Sequence, residues 1–377
     1  MNALINYIQT HENWREELSE APFHLSIKED GPYTIFNYNQ IKSDFSLPEV
    51  QVARGIILKI DEGWSEKEEF EVLERTLCDV KVVCFPFSKF FNYGEPNAHS
   101  IDWASAKVQE KVDGSILKVW YDGGMWHTST NGVINAFQCD LQMPTEEFKS
   151  FGDLYMKAVW NQGLIHLDMN LYFDHNSTHV FELTSPWNRV VVPYKDIKLT
   201  YLGSRNNETG EEYVIESQPF DRPKMYSFGT FEEAVENAAA LPFSQEGYVV
   251  VDKDWHRVKI KGLQYLLCHR LKGESFSNKR AIELALMGEE SEFLSYFPEY
   301  KPIVDRAFSA INSIRNYLSE KIADADSREF NSQKDFALYV KDWKFSGFFF
   351  GRRSGKVKDV ETYIRDLDYK EIEKRMY

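Results

Sequence analysis

The residues with the clearest chemical potential are Lys111, Asp113 and Gly114, which occur in the run Lys111-Val112-Asp113-Gly114-Ser115. The lysine comes just before a tight turn that leads into the strand-like run SILKVWY, residues 115–121. A lysine beside a turn glycine can approach a phosphate closely, because glycine has no side chain to obstruct the contact. The pattern K-x-D-G is short enough to arise by chance, and a solvated hairpin lysine would also fit it.

A lysine amine acts as a nucleophile only after it has lost its proton. Its ordinary pKa is about 10.4, so at pH 7 about one molecule in two thousand carries the free amine. Lowering that pKa to about 7 or 8 requires about 3 to 4 kcal/mol, which nearby cations or burial can supply. Lys259 and Lys261 are two residues apart on a predicted strand and therefore share one face. We expect this pair to lower the pKa of Lys111 and to bind phosphate.

Two glutamates have apolar neighbours. Glu182 stands between Phe181 and Leu183, and Glu246 precedes the apolar run GYVVV. Each carboxylate alone could equally lie in water at the end of a strand. If it is buried, it needs a metal ion, a ribose hydroxyl or a lysine as its partner.

The pattern of apolar residues changes along the chain. Up to about residue 260, short β-rich runs alternate with turn signals, and Asp122-Gly123-Gly124 and Asp252-Lys253-Asp254 are predicted hairpin turns. Beyond about residue 270 the spacing is helical, over 278–296, over 358–375, and at Val304, Phe308, Ile311, Leu318 and Ile322. The sequence predicts an α+β fold, with an antiparallel-sheet domain at 1–262 followed by a small all-helical domain at 263–377.

The chain is acidic, with 44 Lys and Arg against 59 Asp and Glu in 377 residues and a net charge of -15. A polyanion would therefore need a local basic patch. The window 337–358 has six basic residues and one acid, Asp342, interleaved with Trp343, Phe345 and Phe348 to Phe350. We expect RNA contacts there from Lys341, Lys344, Arg352, Arg353 and Lys356. Alternatively, the aromatic rings fill the helical core and the basic groups only solvate its surface.

Other classes of site find little support. The four cysteines are scattered and form no CxxC pair, which argues against a zinc site or a disulfide scaffold. No apolar run approaches the roughly 20 residues that span a bilayer, so we expect no membrane association and a cytoplasmic location in whichever cell hosts the gene. Neither a P-loop nor a Rossmann glycine pattern is present. The remaining possibility for a nucleotide site is that basic side chains on strands bind the nucleotide.

Seven segments occur in an order that resembles the RNA ligase 1 family, the tRNA-repairing ATP-dependent ligases of T-even phages within the covalent nucleotidyltransferase superfamily. They are RGIILKID, FPFSKFFNYGEP, EKVDGS, FELTSPWNRVVVPY, NETGE, EGYVVVDKD and VKIKGLQYLLCH. The resemblance covers about residues 30 to 270 and fades in the helical third.

The resemblance implies a role for each matching residue. Lys111 would be the nucleophile that becomes adenylylated, Glu182 the ribose contact and Glu246 the carboxylate linked to the metal. The positions that match nucleotide contacts are Arg54 and Lys89 for the triphosphate, Phe91 beside them, Lys259 and Lys261 for the α-phosphate, and Tyr265. One position departs from the family, because Asn131 stands where a Lys or Arg before a glycine is usual. A phosphate contact is then missing, unless Lys118 or another base substitutes.

The implied function is ATP-dependent joining of RNA 5′-phosphate and 3′-hydroxyl ends, with Mg²⁺ as cofactor and a lysyl-AMP intermediate. Cleaved tRNA would be one substrate, with an end-healing kinase or phosphatase acting upstream. A DNA ligase or a GTP-using capping enzyme would share Lys111 and both glutamates. Those enzymes usually continue into an oligonucleotide-binding β-barrel, whereas this sequence becomes helical. A non-catalytic RNA-binding module is the remaining alternative, and Asn131 is the residue that suggests it.

Overall fold

The computed structural model describes residues 3–61, 78–164, 166, 168–272, 276–288, 290, 293–294, 297–357 and 359–377. The chain divides into two compact units, Met1–Leu266 and Leu267–Tyr377. A search of the described helices finds none with the length and hydropathy needed to cross a membrane.

The described strands all lie in the first unit and are numbered in chain order. Strands β1 to β14 are Ser26–Asp30, Tyr33–Asn37, Arg54–Asp61, Asp79–Cys84, Phe91–Asn92, Lys107–Glu110, Ser115–Asp122, Met125–Thr130, Ser177–Thr184, Lys198–Asn206, Glu212–Tyr213, Met225–Tyr226, Gly247–Val251 and Arg257–Lys261. The described α-helices, α1 to α12, are Ala3–Thr10, Trp14–Ser19, Pro48–Val52, Phe151–Asn161, Phe231–Ala239, Leu263–Lys272, Asn278–Met287, Lys301–Asp326, Gln333–Val340, Ser346–Arg353, Val360–Asp366 and Tyr369–Glu373. Short 3₁₀ turns occur at Ala136–Gln138, Met169–Leu171 and Pro298–Tyr300.

The first sheet is antiparallel in the order β1-β2-β3-β4 and carries helices α1 to α3 on one face. Strand β3 begins with a bulge, because Phe36 pairs with Ile56 and Asn37 pairs with Arg54, so that Gly55 has no partner across the strands. Gly55 has a φ of +80°, a conformation that glycine adopts without strain. The bulge therefore sets the direction of the chain at Arg54.

The second sheet has the order β11-β10-β9-β7-β8, with every pair antiparallel. Strands β7 and β8 are joined at Gly123 and Gly124, both with positive φ, which confirms the predicted Asp122-Gly123-Gly124 turn. Helix α4 covers one face and buries Leu154 and Ala158 against the sheet.

The third sheet has the order β12-β6-β13-β14-β5, in which only the β14 and β5 pair is parallel among the described strands. Helix α5 packs on the face that carries Val250, Val258 and Ile260. The turn between β13 and β14 contains residues 252–254, as predicted. Since Val258 and Ile260 are buried, Lys259 and Lys261 share the opposite face of β14, which confirms the predicted alternation.

The described residues of the second unit form helices and no strand. The long helix α8 buries Val304, Ile311 and Leu318, as their spacing predicts, and Phe308 and Ile322 are half-buried. Helix α7 covers the start of the predicted 278–296 run, of which residues 289, 291–292 and 295–296 lie outside the described residues. Helices α11 and α12 cover the run 358–375, of which residue 358 lies outside them. The predicted α+β class, with sheets first and helices after, is confirmed.

Candidate active site

Lys111 follows the last residue of β6. Its backbone and its side chain both bind the segment where β13 begins. Its backbone N–H donates to the carbonyl of Gly247 at 2.9 Å, and its Nζ donates to Oε2 of Glu246 at 2.6 Å. The other carboxylate oxygen of Glu246 lies 3.1 Å from Nζ of Lys261. The side chain of Glu246 is 2% exposed, so these two ammonium groups neutralise a buried charge.

The ionisation of the lysines differs from the expectation. Burial alone would lower the pKa of Lys111, but the carboxylates of Glu246 and Glu182 outweigh it and raise that pKa above its ordinary value. The prediction that the lysine pair lowers the pKa of Lys111 is therefore wrong for this state of the protein. It is Lys259 whose pKa falls to about 7, through burial and the charges of Arg54 and Lys111. Lys111 is therefore held as an ammonium ion.

Gly114 allows the turn after Lys111 to lie directly against β9. Its N–H donates to Oε1 of Glu182 at 3.1 Å, and a Cβ atom at Gly114 would lie 2.3 Å from the carbonyl oxygen of Leu183. Any larger residue would push this turn away from the strand. Glu182 is buried as its apolar neighbours suggest, and burial raises its pKa to about 8, with Lys111 acting in the opposite direction.

The carboxylate of Asp113 accepts hydrogen bonds from donors in distant segments. Its Oδ2 accepts the N–H groups of Val191 and Val192 at 2.8 and 2.7 Å, and its Oδ1 accepts the hydroxyl of Tyr265 at 2.7 Å. Burial and the carboxylates of Glu246 and Asp113 raise the pKa of Tyr265, so it remains a donor. Tyr265 thus orients the turn beside Lys111. The sequence offered the RVVVPY segment as part of the resemblance but no reason for its proximity to Asp113.

A cavity opens at Lys111 and is lined by residues from all three sheets. They include Lys111, Glu182, Arg54, Lys259, Phe90 and Val249. The ring of Phe90 has the guanidinium of Arg54 5.4 Å from its centre and Nζ of Lys259 4.6 Å from it. A lysine, a carboxylate and two further cations around one cavity suit a nucleotide with several phosphate groups.

The described lining of this cavity includes Phe90 but neither Lys89 nor Phe91. Phe91 is 8% exposed within β5, next to Val258. Nζ of Lys89 lies 3.3 Å from the centre of the Phe45 ring and 3.2 Å from Oε1 of Gln40. Phe90 is the functional candidate that the sequence missed. The sequence shows that Phe90 is next to Phe91, but it does not show which of the two rings faces the cavity.

Asn131 also lies outside the described lining of the cavity. Its carbonyl and side-chain oxygens are 2.6 and 2.9 Å from the point where a Cβ atom of Gly55 would be. Asn131 therefore borders the bulge of β3.

The arrangement around Glu246 bears on metal binding. Both of its oxygens are engaged by ammonium groups, so the described site is a clamp for lysines. Mg²⁺ commonly takes one or two carboxylates together with substrate phosphates. An ion would fit here as one brought by the phosphates of a nucleotide, with Glu246 as the nearby protein carboxylate.

Comparison of the sequence with known families gives one decisive match. The sequence profile of the RNA ligase family matches residues 52–265, more than half of the chain and the whole of the cavity. This chain belongs to the RNA ligase family.

Three individual proteins are similar to this chain. A protein of Autographa californica nuclear polyhedrosis virus, named as a candidate bifunctional polynucleotide kinase/RNA ligase, is 33% identical over 75% of this chain, which spans only 40% of that protein's length. An RNA ligase of Rhodothermus phage RM378 is 25% identical, with 86% of each chain covered. A solved archaeal ATP-dependent RNA ligase covers 96% of this chain and 97% of its own at 13% identity, with a TM-score of 0.45.

The second unit of this RNA ligase family member carries the predicted basic window. Arg352 binds both oxygens of Asp326 at 2.8 Å, and the guanidinium of Arg353 lies 4.3 Å from the ring centre of Phe336. Lys341, Lys344 and Lys356 are exposed, and Lys358 lies outside the described residues.

The aromatic residues of the window are mostly more buried than its basic residues. Phe348 and Phe349 are 0% and 2% exposed, and Trp343 packs edge-on against Phe349. The alternative in which the aromatic rings fill the helical core is confirmed for Phe348 and Phe349. Phe350 is 38% exposed.

Proposed function

We propose that this chain is an ATP-dependent RNA ligase that joins a 5′-phosphate end to a 3′-hydroxyl end through AMP carried on Lys111. The observation that carries the proposal is the convergence of Lys111, Glu182, Arg54 and Lys259 on one cavity. A buried lysine beside a carboxylate and further cations is the equipment that nucleotidyl transfer requires.

The first chemical step requires Lys111 to give up its proton. The free amine then attacks the α-phosphorus of ATP, an N–P bond forms, and the bond to the bridging oxygen breaks with its electron pair leaving on pyrophosphate. Lys259 and Arg54 face the cavity and would stabilise the negative charge that develops on the phosphate oxygens. Glu182, protonated near neutral pH because of its raised pKa, can offer a hydrogen bond to the ribose.

Two further transfers would complete the reaction. An oxygen of the RNA 5′-phosphate displaces Lys111 from the AMP phosphorus, and the 3′-hydroxyl then attacks the activated 5′-phosphate and releases AMP. Mg²⁺ bound with the phosphates supplies charge neutralisation in this chemistry.

The proposed setting is RNA repair, including cleaved tRNA, in the cytoplasm. The substrate must carry a 5′-phosphate, so a kinase or phosphatase that prepares RNA ends is the expected partner. The baculovirus relative is named as a kinase as well as a ligase, which agrees with such a pairing, although the name describes that protein alone.

Labelling with radioactive ATP followed by denaturing electrophoresis tests the assignment. We expect a protein-bound AMP label in the parent and in Lys253→Ala, an exposed turn lysine, but none in Lys111→Ala. A label on the Lys111→Ala variant would contradict the nucleophile assignment. A label from GTP alone would indicate a capping enzyme, and a parent without label would indicate a non-catalytic RNA-binding module.

A further inference from the structure

Lys118 is a lysine whose side chain is 0% exposed, on β7 in the middle of the first unit. It pairs across the sheet with Ser129 and Val180. The groups that act most on its charge are Cys84 and Arg54, and among the described residues it forms no ion pair with a carboxylate. Burying an ammonium group without a counter-charge is costly, so a neutral apolar side chain would suit a purely structural position better.

The partner that Lys118 does have lies in the bulge of β3. Its Nζ donates to the carbonyl of Gly55, the residue that has no partner in the β2–β3 ladder. A Cβ atom at Gly55 would lie 2.7 Å from this Nζ. Lys118 thus reaches from the second sheet to the first and binds the backbone of the bulge.

Arg54 is the residue immediately before that bulge, and its guanidinium lines the nucleotide cavity. Bulges beside active sites commonly redirect one side chain. Without Lys118 the carbonyl of Gly55 would lose this hydrogen bond inside the protein, which would favour a rearrangement of the bulge.

We propose that Lys118 is a positioning residue for nucleotide binding, which fixes the Gly55 bulge and thereby aims the guanidinium of Arg54 at the phosphates of ATP. This inference rests on the proposed function, since it takes Arg54 as a phosphate ligand. Lys118 itself does not touch the nucleotide, because its side chain is sealed from the cavity.

The protonation state of Lys118 is compatible with this role. Burial, with the charge of Arg54 added, lowers the pKa of Lys118 to about 8. The facing groups are Cys84 on β4, Arg54 on β3, and Ser129 and Asn131 at the end of β8. Burial raises the pKa of the Cys84 thiol, so Cys84 supplies no negative charge at neutral pH. At pH 7 the amine therefore still carries its proton and can donate to Gly55.

The test measures adenylylation of Lys111 as a function of ATP concentration in the full chain. Lys118→Met should raise the KM for ATP about tenfold or more, with a smaller change in the rate at saturating ATP. Lys118→Gln keeps a donor on a shorter side chain and should be intermediate. Lys59→Met is the matched control, a lysine on the same strand as Gly55 that lies 3.3 Å from Asp122, and it should leave the KM unchanged.

A double-mutant cycle with Arg54→Ala separates positioning from general damage to the fold. If Lys118 acts through Arg54, adding Lys118→Met to Arg54→Ala should raise the KM no further. Additive effects, or an unchanged KM in both Lys118 variants, would overturn the inference while leaving the ligase assignment standing. A parent protein that takes no label from ATP would overturn both. Thermal unfolding shows whether each variant is folded. If Lys118→Met is not folded, Lys118→Gln takes its place in the measurements.

Discussion

Nζ of Lys111 lies 2.6 Å from Oε2 of Glu246, across 135 positions of the sequence. The carboxylate is buried, and it shares its other oxygen with Lys261. Lys111 is therefore one half of a buried ion pair. The proposed adenylylation requires this pair to open and the proton to leave Lys111.

Removing the carboxylate should change the pH dependence of adenylylation. Since Glu246 helps to raise the pKa of Lys111, Glu246→Gln should lower that pKa and move the rising limb of the pH–rate profile about one to three units toward acid. The maximal rate can fall as well, because the clamp also holds Lys261. Single-turnover labelling across the neutral and alkaline range measures the midpoint. Glu208→Gln, at an exposed position, is the control, and an unmoved midpoint in Glu246→Gln would refute the explanation.

Lys259 should matter far more than a lysine in the nearby turn. Lys259 lines the cavity with a pKa of about 7, so Lys259→Ala should slow adenylylation about 100-fold by removing a phosphate donor. Lys253 is exposed in the β13–β14 turn, 3.7 Å from Asp102, and Lys253→Ala should retain the parent rate. Equal losses in the two variants would show that β14 has no special role.

Substitution of one of the two adjacent phenylalanines should weaken ATP binding, and substitution of the other should reduce folding stability. Phe90 lines the cavity beneath two cations, so Phe90→Ala should raise the KM for ATP about fivefold or more. Phe91 is buried, so Phe91→Ala should reduce the free energy of unfolding by about 3 to 5 kcal/mol. Denaturant titration and ATP-dependent labelling of both variants measure these effects. The reverse pattern would mean that the register of β5 is assigned incorrectly.

The basic surface of the second unit should act on RNA and leave the adenylate step alone. Charge reversal of Arg352 and Arg353 to Glu should weaken RNA binding, reduce its salt dependence and slow sealing, with Lys111 labelling unchanged. Affinity measured at several salt concentrations provides the comparison. The exchange Arg352→Asp with Asp326→Arg preserves the ion pair and controls for its loss. Lys301→Glu, an exposed lysine of α8 outside the window, controls for net charge. A parental salt slope in the double reversal would identify the patch as a solvated surface.

Features that depend on neighbouring residues were predictable from the sequence. The turn glycines at 123 and 124, the shared face of Lys259 and Lys261 and the helical spacing of α8 follow from backbone geometry with periods of 2 and 3.6 residues. The ordered segments around Lys111 likewise identified the family, which the sequence profile confirms. Burial of Glu182 and Glu246 was one of the two alternatives that their sequence neighbours left open, and the structure decides for it.

Only the tertiary structure decided how these residues interact. The alternation of side chains along a strand places Phe90 and Phe91 on opposite faces, but it does not say which ring lines the cavity. The parallel pairing of β5 with β14 decides that question. The three phenylalanines of the basic window could not be divided into core and surface before helix packing was known. The charge states of Lys111 and Lys259 and the contact of Lys118 with Gly55 depend on groups that are distant in the chain. Residue type and spacing identify the residues of the candidate site. Charge and burial, however, act through space. The packing of the sheets therefore determines which lysine forms an ion pair, which has a lowered pKa and which is buried.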